Sequence, residues 1–135
     1  MPRKAQDVTD AELAILQVLW EKGQATVRDL VERLYPTGTT SDLATVQKLL
    51  KRLESKDCVL RDRSGWPHVF RPGIQRDELI VRRLRNTAEA LCNGSLAPLL
   101  TNLVKTGDVS SEEIDRLRGL LDSLESATPQ TEQQS

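Results

Sequence analysis

The chain has 135 residues, a formal net charge of −1 and only 3% aromatic residues. That length suits one compact unit, or a small domain with an appendage, and excludes a large multidomain enzyme. No apolar run approaches the roughly 18 residues needed to span a bilayer, and Met1–Asp7 leads into no signal-peptide core, so a soluble cytoplasmic protein without membrane contact is expected.

The near-neutral total conceals a local asymmetry. Between Leu43 and Arg71 there are seven Lys or Arg against three Asp or Glu, and the opposite excess lies elsewhere. A localised basic patch fits a polyanion-binding site, although the pI of 5.9 is lower than that of many small DNA-binding domains. Cys58 and Cys92 stand far apart, with no paired-ligand spacing, as expected of a reduced intracellular protein.

Taken in order, residues 1–7 lack apolar periodicity and read as a flexible tail whose Arg3 and Lys4 are free to reach phosphate. A first helix opens at Thr9 or Asp10, buries Leu13, Leu16, Val18, Leu19 and Trp20, and ends at Lys22-Gly23. Thr26-Val27-Arg28-Asp29 has capping-box spacing and starts a short second helix through Leu30, Val31 and Leu34. Pro36 disfavours helical geometry at Tyr35, and the following Thr37-Gly38-Thr39 is a turn.

A third helix is expected from Ser41 to Lys56, capped by Thr40 or Ser41. Leu43, Val46, Leu49, Leu50 and Leu53 fall on its core side, which leaves Thr45, Gln47, Lys48, Lys51 and Arg52 on the other. Cations can neutralise phosphates, while hydroxyl and amide groups can read base edges. After Lys56 the period changes from 3.6 to 2: Cys58 to Arg63 alternates, Ser64-Gly65 turns, and a strand returns through His68-Val69-Phe70-Arg71. Arg61, Arg63 and Arg71 on this hairpin are placed to touch a nucleic-acid backbone. The order of three helices and a hairpin specifies a winged helix, with the third helix as its recognition element.

Pro72-Gly73 separates a Leu-rich remainder. Helices are expected at Asp77–Asn93, at Ser95–Lys105 and after Ser110, where Ser110-Ser111-Glu112-Glu113 reads as a capping box and Val109 and Ile114 as a hydrophobic staple. These helices are too small for an independent core. The expected solution is a second copy packed through Leu84, Leu91, Leu96, Leu99, Leu100, Leu103, Leu117, Leu120, Leu121 and Leu124, and the alternative is a fold back onto the same chain's winged helix. The expected organisation is therefore tail 1–7, winged-helix DNA-binding domain 8–73, helical dimerisation segment 74–126 and disordered tail 127–135: a mainly α fold with one small β-hairpin.

These residues resemble the penicillinase-repressor (BlaI/MecI/CopY) family of transcriptional regulators over roughly residues 7 to 125. The likeness is carried by Thr9-Asp10-Ala11-Glu12-Leu13 with Val18-Leu19-Trp20, by the third-helix pattern Thr45-Val46-x-x-Leu49-Leu50-x-Arg52-Leu53 with Lys56, and by the wing ending Phe70-Arg71-Pro72. Gly94-Ser95-Leu96 through Ser110-x-x-Glu113 agrees with it.

The resemblance implies a homodimeric repressor on a palindromic double-stranded DNA operator. Thr45, Gln47 and Lys48 would lie toward bases or nearby phosphates and Arg52 nearer the backbone, with Thr40, Ser41 and Lys51 completing the contact set on this helix. Asp57 stands where relatives usually carry Gly, and Gln47 where Arg is common, a shift from guanine toward adenine reading. Some relatives are cut by a membrane sensor protease at an Asn-Phe bond, to which Asn102-Leu103 corresponds here. The C-terminal cysteine cluster of the copper-responsive branch is absent from the sequence.

A second reading, motivated by the low pI, is an interaction module that docks an acidic partner. Catalysis is not expected. His68 is the only histidine, it lies in the wing without a nucleophile or metal cluster near it in sequence, and neither a cofactor nor a metal is implied.

Overall fold

A computed structural model describes residues 7–127. The helices are α1 (Asp10–Lys22), α2 (Val27–Leu34), α3 (Thr40–Ser55), α4 (Arg76–Cys92), α5 (Ala97–Lys105) and α6 (Ser111–Ala127), with strands β1 (Val59–Asp62) and β2 (Val69–Pro72) between α3 and α4. This is a winged helix-turn-helix followed by a helical segment, as the periodicity predicts. The flexible tails expected at 1–7 and 127–135 lie outside the described residues, apart from Asp7 and Ala127. Among the described residues, no helix is long and apolar enough to cross a membrane.

The chain divides into two compact units at Arg83–Leu84. In the first, three helices open with the same device. Thr9, Thr26 and Thr39 each accept a hydrogen bond from the backbone N–H three residues on, while Glu12, Asp29 and Asp42 accept one from the Thr backbone. Each box satisfies two donors that a helix start leaves unpaired. α3 therefore starts one residue earlier than expected and is capped by Thr39 rather than Thr40 or Ser41. Only Thr39 has an acid at the required spacing.

Ile15, Leu16 and Leu19 of α1, Leu30 of α2 and Val46, Leu50 and Leu53 of α3 form the centre of the core. Cys58, Val59 and Phe70 from the hairpin close one side, and Ile74 and Leu79 join the same core, so its packing runs past residue 73. Leu43, expected on the buried side of α3, is 38% exposed. It faces a cavity between α2 and the hairpin rather than close-packed neighbours.

The strands pair antiparallel with Val59 opposite Pro72 and Asp62 opposite Val69. A further bridge was not evident in the sequence: Ala25 N–H donates to Phe70 O at 3.0 Å and Phe70 N–H to Ala25 O at 2.8 Å, fastening the wing to the α1–α2 connection. Asp57 adopts a left-handed φ of 61° in the turn out of α3. Gly73 passes close beside that turn. A Cβ at Gly73 would stand 3.0 Å from Asp57 O and 3.1 Å from Val59 N, so only glycine fits without backbone displacement.

One buried ion pair spans this unit. Lys56 Nζ donates to Glu12 Oε1 at 2.6 Å and to Asp7 O at 2.8 Å, joining the end of α3 to the start of α1. The Glu12 side chain is 0% exposed. Burial by itself pushes this carboxyl up, but the Lys56 ammonium and the Thr9 amide and hydroxyl outweigh that and hold it below its ordinary 4.5.

The second unit contains the rest of α4 with α5 and α6. α5 begins without a side-chain cap, with Pro98 in its first turn, and starts two residues later than expected. Glu113 N–H donates to Ser110 Oγ at 3.1 Å at the start of α6, and Val109 and Ile114 are half-buried there. Leu84, Leu91, Leu96, Leu100, Leu103, Leu117, Leu120, Leu121 and Leu124 are exposed, and Leu99 is half-buried.

Candidate nucleic-acid interface

The exposed side of α3 is built by the residues that anchor its other side. Val46, Leu49, Leu50 and Leu53 are buried, and this fixes Thr45, Gln47, Lys48, Lys51 and Arg52 outward, all exposed. Thr40 and Ser41 are exposed in the first turn. The Thr45 hydroxyl donates to Ser41 O at 3.0 Å, so its oxygen is oriented and retains lone pairs for an incoming donor. Asp42, the first-turn acid, is occupied by the Thr39 backbone at 3.0 Å. The outward face between Thr45 and Arg52 thus presents three cations, an amide and a hydroxyl, with no carboxylate among them.

The wing arginines differ in their surroundings. Arg61 Nη2 donates to Glu54 Oε1 at 2.9 Å, and its guanidinium lies 4.9 Å from the Phe70 ring centroid. It is 23% exposed and serves first as a strut between α3 and the hairpin. Arg63 reaches Glu54 Oε2 at 3.5 Å while remaining 62% exposed, and Arg71 is exposed on β2. Arg63 and Arg71 therefore stand available to a polyanion, whereas Arg61 is largely committed to Glu54. That commitment was not legible in the sequence, since it depends on β1 passing beside the last turn of α3.

The wing tip carries Trp66, 84% exposed, with its ring edge-on to His68 at 4.7 Å between centroids. Hydrogen bonds from the Ser64 hydroxyl and amide hold the Asp62 carboxyl below its ordinary value, and the amide bond is 2.9 Å long. Burial pushes the Cys58 thiol above its ordinary 9.0, which keeps it protonated and weakly nucleophilic. Among the described residues, no group of three His, Cys, Asp or Glu side chains is placed to hold a metal ion.

The second unit supplies the other predicted positions. Asn102 and Leu103 sit inside α5, where Asn102 Nδ2 donates to Pro98 O at 2.8 Å. The pair is helical, whereas proteases bind their substrates in extended form.

Known proteins resemble this chain over most of its length. The family model described as penicillinase repressor matches residues 8–123. The chain is 27% identical over 120 residues to a penicillinase repressor of Bacillus licheniformis, covering 89% of this chain and 93% of that protein. It is 23% identical over 124 residues to a Staphylococcus aureus penicillinase repressor, covering 92% and 98% respectively. A methicillin resistance regulatory protein MecI of Staphylococcus aureus (strain N315) is 22% identical over 121 residues, covering 90% and 98%.

Proposed function

The chain belongs to the penicillinase repressor family, and from that premise we propose that it is a transcriptional repressor which binds a palindromic operator as a homodimer. In this reading residues 8–73 supply the DNA-binding part and residues 74–126 the dimerising part. Thr45, Gln47 and Lys48 lie toward base edges or nearby phosphates, Gln47 with an amide suited to adenine. Thr40, Ser41, Lys51, Arg52, Arg63 and Arg71 contact the backbone. Arg61 belongs to the same surface but acts chiefly by holding the wing against α3.

The observation that carries this reading is the carboxylate-free, exposed face of α3 between Thr45 and Arg52. The exposed leucines of the second unit support a second copy as the partner that covers them. Release by a sensor protease at Asn102–Leu103 would require α5 to unwind first, because the bond lies within the helix.

Gel shifts on the promoters of its own and neighbouring genes, repeated across a salt series, test the assignment. Lys48→Ala and Arg52→Ala should each weaken binding and lower the slope of log affinity against log salt by about one. Parental affinity with unchanged slopes would remove both residues from the interface.

A further inference from the structure

The face of α3 and the wing also form two walls of a cavity. With the start of α2 they line a half-open cleft of about 640 Å³, within the range of roughly 300–1,000 Å³ typical of small-molecule sites. Leu50 and Phe70, both buried, give it an apolar floor, and Val27 extends that floor along α2. Trp66 lines the same space from the exposed wing, with its indole mostly uncovered.

Charge around the cavity is one-sided. Arg28, Lys51 and Arg61 line it, and no Asp or Glu does. Glu54 offsets Arg61 from behind, whereas among the described residues Arg28 and Lys51 make no ion pair. Arg61 Nε is buried with no hydrogen-bond partner, so the free positive charge on the lining comes from Arg28 and Lys51. An apolar floor, an exposed aromatic face and unmatched cations together suit a ligand that carries both a flat apolar body and a single anionic group.

We propose that this cavity binds a planar aromatic carboxylate, and that occupation excludes DNA. The ring covers Leu50 and Phe70 and stacks on Trp66, and the carboxylate sits between Arg28 and Lys51. Exclusion rests on the repressor reading above: Gln47 and Lys51 line the cavity and also belong to the outward face of α3, so a ligand held there redirects side chains that DNA requires. The cavity thereby becomes an effector site built into the reading head.

Calorimetric titration of the full chain with 2-naphthoate, without DNA, tests the site. One molecule should bind per chain. Arg28→Gln and Lys51→Gln should each weaken binding about tenfold, as should replacing the probe with uncharged 2-naphthalenemethanol. Arg33→Gln, on α2 but outside the cavity, should leave the affinity unchanged. No binding, equal affinity for the alcohol, or indifference to both cavity substitutions would overturn the site.

In gel shifts, saturating 2-naphthoate should raise the protein concentration needed for half-maximal shift about tenfold. Binding of the probe without that rise would overturn exclusion. A protein that shifts no DNA at all would refute the repressor reading, while the calorimeter would still decide the site.

Discussion

At the level of single residues, Glu12 shows how far a side chain's role can depart from its local setting. In the sequence it is a first-turn acid suited to a helix dipole. In the fold its carboxylate is buried and bonded to Lys56, 44 residues away. Glu12→Gln should cost about 2 kcal/mol at pH 7, the scale of a hydrogen bond to a charged group, measured by urea unfolding at fixed protein concentration. Because the folded carboxyl titrates below its ordinary 4.5, this contribution is complete above that pH. It fades as pH falls through the lower folded value, so parent and variant should converge in acid. A gap that stayed constant with pH would mean that packing, and not charge, makes the difference.

The same contrast separates Arg61 from its neighbours. Composition and position put Arg61, Arg63 and Arg71 in one class, yet only Arg61 is drawn beneath the wing by Glu54 and Phe70. Local pattern carries information about which face a residue occupies. It carries little about a partner brought close by a change of direction between α3 and β1.

At the level of elements, most of the first unit was legible because each helix is punctuated by its own chemistry. Gly23 ends α1, Pro36 follows α2, and the caps repeat Thr-x-x-acid. The start of α3 was placed one residue late because Thr40 and Ser41 are also competent cap types, and Thr39, read as part of the turn, is selected by Asp42 three residues on. Thr39→Ala should therefore cost about 1 kcal/mol, and Thr40→Ala much less, in parallel urea titrations. An equal loss from both would place the cap elsewhere. What was not legible is the Ala25–Phe70 bridge, since a single paired residue leaves no alternation to detect.

For the whole molecule, the two units differ in how they use their leucines. The first buries most of its large apolar side chains in one core, while among the described residues of the second nine leucines are exposed, eight on α4, α5 and α6 and Leu96 just before α5. An apolar surface of that extent favours association. For the proposed homodimer, a double change, Leu120→Glu with Leu121→Glu, should shift the protein from dimer to monomer in sedimentation velocity. The same change should reduce operator affinity, because two linked reading heads gain from each other's binding. A variant that sedimented as the parent does would place the interface away from α6.

The two tryptophans give the molecule a pair of optical reporters that need no label. Trp20 is half-buried, its indole N–H bonded to Ile74 O at 2.9 Å and the Arg76 guanidinium 5.1 Å from its ring centroid. Trp66 stands 84% exposed on the wing. Their emission should separate into a shielded component at shorter wavelength and a component at longer wavelength that acrylamide quenches readily, and Trp66→Phe should abolish the second alone. Loss of the shielded component would then follow unfolding of the α1–α4 packing, while protection of the quenchable one would time the arrival of anything that covers the wing.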